Sequence, residues 1–173
     1  MDLYILRHGI AEPREASTPM KDSERSLTLE GKRKMRRIAK GMKAMGLSFD
    51  VILTSPFRRA KETAEIVAGV LQLQKHLKVL PALAAGEKTR ELVEALEEPL
   101  STSEVVLLVG HEPDLSDLIS RLVAGGPDMS ITLKKGGLCK LVLNSIRYGR
   151  CAALEWLLAP GQLARLRQPV ARG

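Results

Sequence analysis

The stretch "EVVLLVGHEPDLSDLISRLVAG", residues 104–125, joins the most apolar run of the chain to a helix-patterned one. The run up to Gly110 predicts a central strand buried on both faces, and the segment behind it a helix. A strand of that kind needs helices on both sides of its sheet. The same alternation recurs outward in both directions. Residues 2–7 and "FDVILTS" (49–55) predict two further buried strands, and "LKVLP" (77–81) a short one. Residues 28–46 predict a helix, with Met35, Ile38, Ala39, Met42 and Met45 on one face and Gly46 as its stop. A second helix follows residue 55, with Ser55 as N-cap, Pro56 in the first helical position, and Phe57, Ala60, Ala64, Val67, Ala68 and Leu71 facing the core. A third lies near 88–98. "GGLCKLVLN" and "CAALEWLL" predict two strands that add antiparallel pairing at an edge. The expected fold is α/β: three layers, α/β/α, around a mostly parallel central sheet. One domain spans 1–158, and 159–173 forms a C-terminal tail, a short helix or disordered.

Composition narrows the function classes. With 173 residues and 45% apolar side chains, the chain is long enough for a substantial core. No apolar stretch reaches the roughly 20 residues that span a bilayer. The start, "MDLYIL", has neither a basic region nor a cleavage site, so the expectation is a cytoplasmic protein. Cys139 and Cys151 are too few for a disulfide framework and are expected to be reduced. The net charge is +7, and Lys32, Arg33, Lys34, Arg36, Arg37, Lys40 and Lys43 follow one another without an acid. A solvated helix face is the plain reading of this stripe, and an acidic partner protein at 32–43 the functional one. Aromatic residues make up only 3% of the chain and none interleaves with these charges, which argues against a nucleic-acid stacking platform.

In open α/β sheets, ligands bind beyond the carboxyl ends of the strands. The first strand ends on Arg7, His8 and Gly9. The second ends on Ser55, with Arg58 and Arg59 close behind, and the "VVLLVG" strand ends on His111 and Glu112. Guanidinium groups fit phosphate oxygens, helix N-termini add partial positive charge, and histidine serves as nucleophile or acid near neutrality. The combination predicts a pocket for a phosphoryl group. A single strand-end histidine is more often a packed residue than a catalyst; the joint placement with Arg7 and Arg59 is what favours function. Metal binding is the rival for paired histidines, but they lie on separate strands, lack cysteine company and have arginines beside them. We expect no metal and no cofactor. His76, in "LQKHLKV", reads as a surface residue. No P-loop, dinucleotide-binding glycine pattern or G-x-S-x-G elbow occurs.

Three motifs, "LRHG" (6–9), "SPFRRAKETA" (55–64) and "VGHEP" (109–113), together resemble the histidine phosphatase superfamily, which is phosphoglycerate mutase-like in fold. The small size, "RSLTLEG" (25–31) and "LKKGGLCKL" (133–141) resemble its short SixA-like phosphohistidine phosphatase branch, a minimal version without a large insertion. The likeness runs from residue 1 to about 158. It implies that His8 is the nucleophile of a phosphohistidine intermediate, and that Arg7 and Arg59 bind the phosphoryl group. It implies that His111 stabilises the transferring oxygens and that Arg25 reaches the substrate from the Ile10–Ser26 loop. Gly9 and Ser55 complete the expected binding site. The residues alone leave open which histidine attacks.

Larger members of the family carry a general acid after the third strand. Here that region is only "LPALAAGEKTREL", where Glu87 is the nearest candidate, with a helix first-turn acid as its plain reading; Glu112 is the other option. Imidazole leaves phosphorus far more readily than an alkoxide, because its ring is protonated near neutral pH. A weak acid therefore favours phosphohistidine in proteins as substrate. The alternatives are a broad phosphatase for small phosphomonoesters or polyphosphate, and a phosphate- or nucleic-acid-binding module without turnover.

Overall fold

The computed structural model describes residues 1–14 and 21–166. Its six-stranded sheet runs in the order β3-β2-β4-β1-β5-β6. The strands are β1 (Asp2–Arg7), β2 (Val51–Thr54), β3 (Leu77–Val79), β4 (Val105–Gly110), β5 (Leu138–Leu143) and β6 (Ala152–Leu158). β1, β2, β3 and β4 are mutually parallel, whereas β5 and β6 join antiparallel. The helices are α1 (Leu29–Ala44), α2 (Arg58–Leu71), α3 (Thr89–Ser101), α4 (Asp114–Ala124) and a short α5 (Pro160–Leu163).

Strand side chains alternate between two faces. Leu3, Ile5, Leu53, Val106 and Leu108 pack with α3 and α4, while Tyr4, Leu6, Ile52, Leu107 and Val109 pack with α1 and α2. The unbroken apolar runs are thus explained by two cores, one on each side of the sheet. Among the described residues, no helix is long and apolar enough to cross a membrane.

The expected start of the second helix is corrected. Phe57 is the N-cap of α2, and Pro56 precedes the helix. The Ser55 hydroxyl does accept the Phe57 N–H, at 3.2 Å, but it faces His111 at 2.7 Å, so Ser55 serves the strand end and not the helix end. α3 extends to Ser101, three residues past the expected stretch, because Leu100 is a buried anchor. The Ile10–Ser26 segment contains a bridge from Ala11 to Leu27 and a single 3₁₀ turn at Asp22–Glu24; residues 15–20 of it lie outside the described ones.

The expected tail begins with a packed element. Leu163 of α5 is fully buried against α1. At the crossing, a Cβ on Gly41 would lie 1.9 Å from the Leu163 carbonyl oxygen, so only glycine lets the two backbones approach this closely. The tail residues 167–173 lie outside the described ones. Cys139 is buried in β5, Cys151 is half-buried before β6, and neither is in a disulfide.

Candidate active site

The order β2-β4-β1 sets three strand ends side by side. Arg7 pairs in register with Gly110, the His8 N–H donates to the Gly110 carbonyl at 3.1 Å, and the Ser55 N–H donates to that of Val109 at 3.0 Å. The imidazoles of His8 and His111 consequently face each other with ring centroids 5.1 Å apart. Both are buried.

A hydrogen bond defines the tautomer of His8. His8 Nδ1 lies 2.7 Å from the Gly9 carbonyl oxygen, which only accepts, so Nδ1 carries the proton. Its Nε2 then has a free lone pair, which accepts from Arg59 Nε at 3.2 Å. Burial, followed by the charges of Arg59, Arg7 and Lys135, lowers the His8 pKa to about 4, although the Gly9 contact opposes this. At neutral pH His8 is an uncharged imidazole with Nε2 directed at the arginines.

His111 is held through its other nitrogen. Its Nε2 lies 2.7 Å from the Ser55 hydroxyl, whose oxygen also accepts from the Phe57 N–H. His111 Nδ1 is buried without a partner. Burial first, then His8 and Arg59, lowers its pKa to about 3. Arg7 Nε is a buried donor without a partner, while the Nη1 of the same side chain donates to Leu133 O at 2.9 Å. Buried donors are normally satisfied. This free donor at the strand end that carries His8, with Arg59 at the His8 Nε2, suits an oxyanion.

Arg59 is held on its far side by Asp22. Its Nη1 donates to the Asp22 carbonyl at 2.7 Å and its Nη2 to the carboxylate at 3.0 Å. The other carboxylate oxygen of Asp22 takes Arg25 Nε at 2.9 Å and Nη2 at 2.7 Å, and Arg25 Nη1 reaches Glu12 O at 2.8 Å. Partial burial pushes the Asp22 carboxyl up, but Arg25 and Arg59 together outweigh it and hold the group below the usual range. Asp22 is thus the joint through which Arg25 comes within one carboxylate of the pocket.

Sequence reasoning missed Asp22, Thr63 and Glu62. Thr63 Oγ1 accepts the Gly9 N–H at 3.1 Å and donates to Arg59 O at 2.7 Å, locking the turn after His8 to α2. Glu62 accepts the Leu27 N–H at 2.7 Å and pairs with Lys32 and Arg58, so Arg58 turns outward to it. The only prior signal was their position one turn after Arg58 and Arg59. Glu87 is exposed and makes no side-chain hydrogen bond to the cluster, whereas the neighbouring Gly86 N–H donates to Asp114 Oδ2. Glu112 folds back on Ser116, accepting its N–H at 3.2 Å and its hydroxyl proton; burial raises its pKa, and Arg7 counters part of that. His76 is exposed, with Nδ1 at 2.8 Å from Asp50 O.

The family model for histidine phosphatase superfamily (branch 1) matches residues 3–84, which include Arg7, His8, Arg25 and Arg59. Phosphohistidine phosphatase SixA of Escherichia coli K12 is 34% identical over 147 residues, 79% of this chain and 88% of that protein. The chain belongs to the histidine phosphatase superfamily, in its SixA-like branch. A protein histidine phosphatase SixA structure, complexed with tungstate, superposes on this chain with a TM-score of 0.78 at 28% identity, covering 94% of this chain and 99% of the other. An uncharacterized protein of Picosynechococcus is 36% identical over 148 residues, 85% of this chain and 88% of its own length. The three-layer fold with a mostly parallel sheet is that of the superfamily, and membership supports phosphatase activity.

Proposed function

We propose that this protein removes phosphate from phosphohistidine by way of a phosphohistidine intermediate on His8. The observation that carries the reading is the unprotonated Nε2 of a neutral, buried His8, which accepts from Arg59 Nε and whose ring faces that of His111. Nε2 attacks phosphorus and forms a P–N bond while the bond to the substrate imidazole breaks. The departing ring takes a proton from water. Arg7, Arg59 and His111 hold the phosphoryl oxygens as charge redistributes. Water then attacks phosphorus, the His8 Nε2–P bond breaks, and orthophosphate leaves with His8 restored.

The leaving group decides the substrate class. Asp22 is ion-paired to two arginines, Glu87 is exposed, and Glu112 is turned onto its own helix. Without a positioned acid, an alkoxide departs poorly, whereas imidazole accepts a proton near neutral pH. The second reading, a phosphomonoesterase, rests on Glu112, whose burial raises its pKa in the direction a proton donor needs, against the Ser116 hydrogen bonds and the Arg7 charge, which lower it. Hydrolysis of a phosphohistidine peptide beside a panel of phosphomonoesters, with His8→Ala and Glu112→Gln, tests both. Strong preference for the P–N bond, abolished by His8→Ala and indifferent to Glu112→Gln, is the expected result. Equal turnover of esters, lost with Glu112→Gln, would establish the second reading instead.

A further inference from the structure

A groove of about 700 Å³ opens directly beside the phosphoryl pocket, with Arg7 and Gly9 at its head. Its walls are mainly apolar, formed by Ile10, Met35, Ile38, Pro160 and Ala164. Its rim carries Lys34 and Arg37 from α1 and Lys134 and Lys135 from the loop before β5, and no acid among the described residues lines it. Lys34 pairs with Glu30 at 2.7 Å, while Arg37, Lys134 and Lys135 are in no ion pair among the described residues. The groove and the pocket are built as one unit. Arg7 N–H donates to Gly137 O at 3.1 Å, Arg7 O accepts from Gly136 N–H at 3.0 Å, and the Arg7 guanidinium holds Leu133 O. Gly136 has a φ of +79°, the left-handed turn that brings Lys135 close enough to His8 to lower its pKa.

We infer that this groove docks the polypeptide segment flanking the phosphorylated histidine of a partner protein, a segment that is acidic and apolar in composition. The inference rests on the phosphohistidine reading above and deepens it. The volume falls in the range of about 300–1,000 Å³ typical of ligand sites, room for several side chains. Apolar side chains gain by covering the floor, and carboxylates gain by facing four cations. A polyphosphate chain would use the rim but has nothing to place against Ile10, Met35, Ile38 and Pro160. The basic stripe of α1 acquires a division of labour: Lys34 and Arg37 face the groove, whereas Lys32 is tied to Glu62.

Two substitutions probe floor and rim separately. A Cβ at Gly161, which lines the groove, would meet no atom within 4 Å, so Gly161→Leu adds apolar bulk to the groove wall at an uncrowded position. Arg37→Glu reverses a rim charge on an exposed helix position. The probes are two synthetic peptides of equal length with a central histidine, one flanked by Asp and Leu and one by Lys and Ser. Binding of the unphosphorylated forms is read by fluorescence anisotropy, and turnover of the phosphorylated forms and of phosphoimidazole by phosphate release. We expect the acidic peptide to bind about tenfold more tightly, and each variant to erase that margin while phosphoimidazole turnover is unchanged. The Arg37→Glu effect should fade at high salt, and the Gly161→Leu effect should persist. Equal binding of both peptides, or a margin that survives both variants, overturns the docking groove and leaves the phosphatase reading standing. Loss of all P–N turnover with the peptide margin intact overturns the phosphatase reading alone. Inorganic polyphosphate that displaces the acidic peptide and is equally sensitive to Gly161→Leu overturns the peptide as occupant.

Discussion

Arg59 donates its Nε–H to His8 Nε2 at 3.2 Å while the other end of its guanidinium is bound by Asp22. One side chain therefore touches both the reactive nitrogen and the loop that brings Arg25. Arg59→Ala should lower kcat/KM by about 10²–10³-fold, the scale of losing a preorganised charge donor. Arg59→Lys should recover little, because an ammonium cannot span His8 and Asp22 at once. Steady-state kinetics on phosphoimidazole decides it; full rescue by lysine would mean that charge alone is needed.

The acid limb of kcat/KM should lie near the His8 value of about 4 and not near the ordinary 6.5. Only the unprotonated Nε2 attacks, so activity falls as pH drops through that value. A pH–rate profile centred near 6.5 would place the titrating group elsewhere.

Stability follows the same protons. Both histidines have folded pKa values, about 4 and about 3, below that of the unfolded chain, which is near 6.5. The unfolded state therefore binds protons first as the pH falls. The stability these rings contribute is full above about pH 6.5 and is lost as pH falls toward their folded values. Urea midpoints should drop between about pH 7 and about pH 4.5, and drop less in His8→Asn. An equal slope in the variant would show that other groups carry the effect.

Asp22→Ala should loosen Arg25 and Arg59 together, raising KM by about tenfold with a smaller change in kcat. Asp22→Asn keeps an acceptor for Arg25 and should restore much of the loss. A fall in kcat alone would mean that Asp22 acts on the chemical step.

Ser55→Ala removes the hydroxyl that holds His111 Nε2 at 2.7 Å. Without it the imidazole is less firmly oriented against His8. The expected effect is a roughly tenfold loss in kcat at unchanged KM, in line with the modest worth of one positioning hydrogen bond.

The fold and the pocket differ in how far they could be read ahead. Apolar runs such as 105–109 and 3–6 declare buried strands, and a charged or imidazole side chain closing each run marks a strand end. That pattern predicted the gathering of Arg7, His8, Arg59 and His111. Asp22 carried no such mark, since its meaning depends on the approach of Arg59, 37 positions away in the chain. Ser55 fits both a strand-end site and a helix cap, since a serine before proline commonly is one; its partner His111 follows another strand, 56 positions on. The packing of Leu163 was equally hidden, because it depends on the absence of a side chain at Gly41.

His8 and His111 stand at the ends of strands buried on both faces, whereas Asp22 and Arg25 belong to a single turn that meets the pocket through Arg59. Reactivity and grip are thus housed in parts of very different tolerance to change. A lineage can retune how tightly an anion is held by altering one surface turn, while His8 and its tautomer stay as they are.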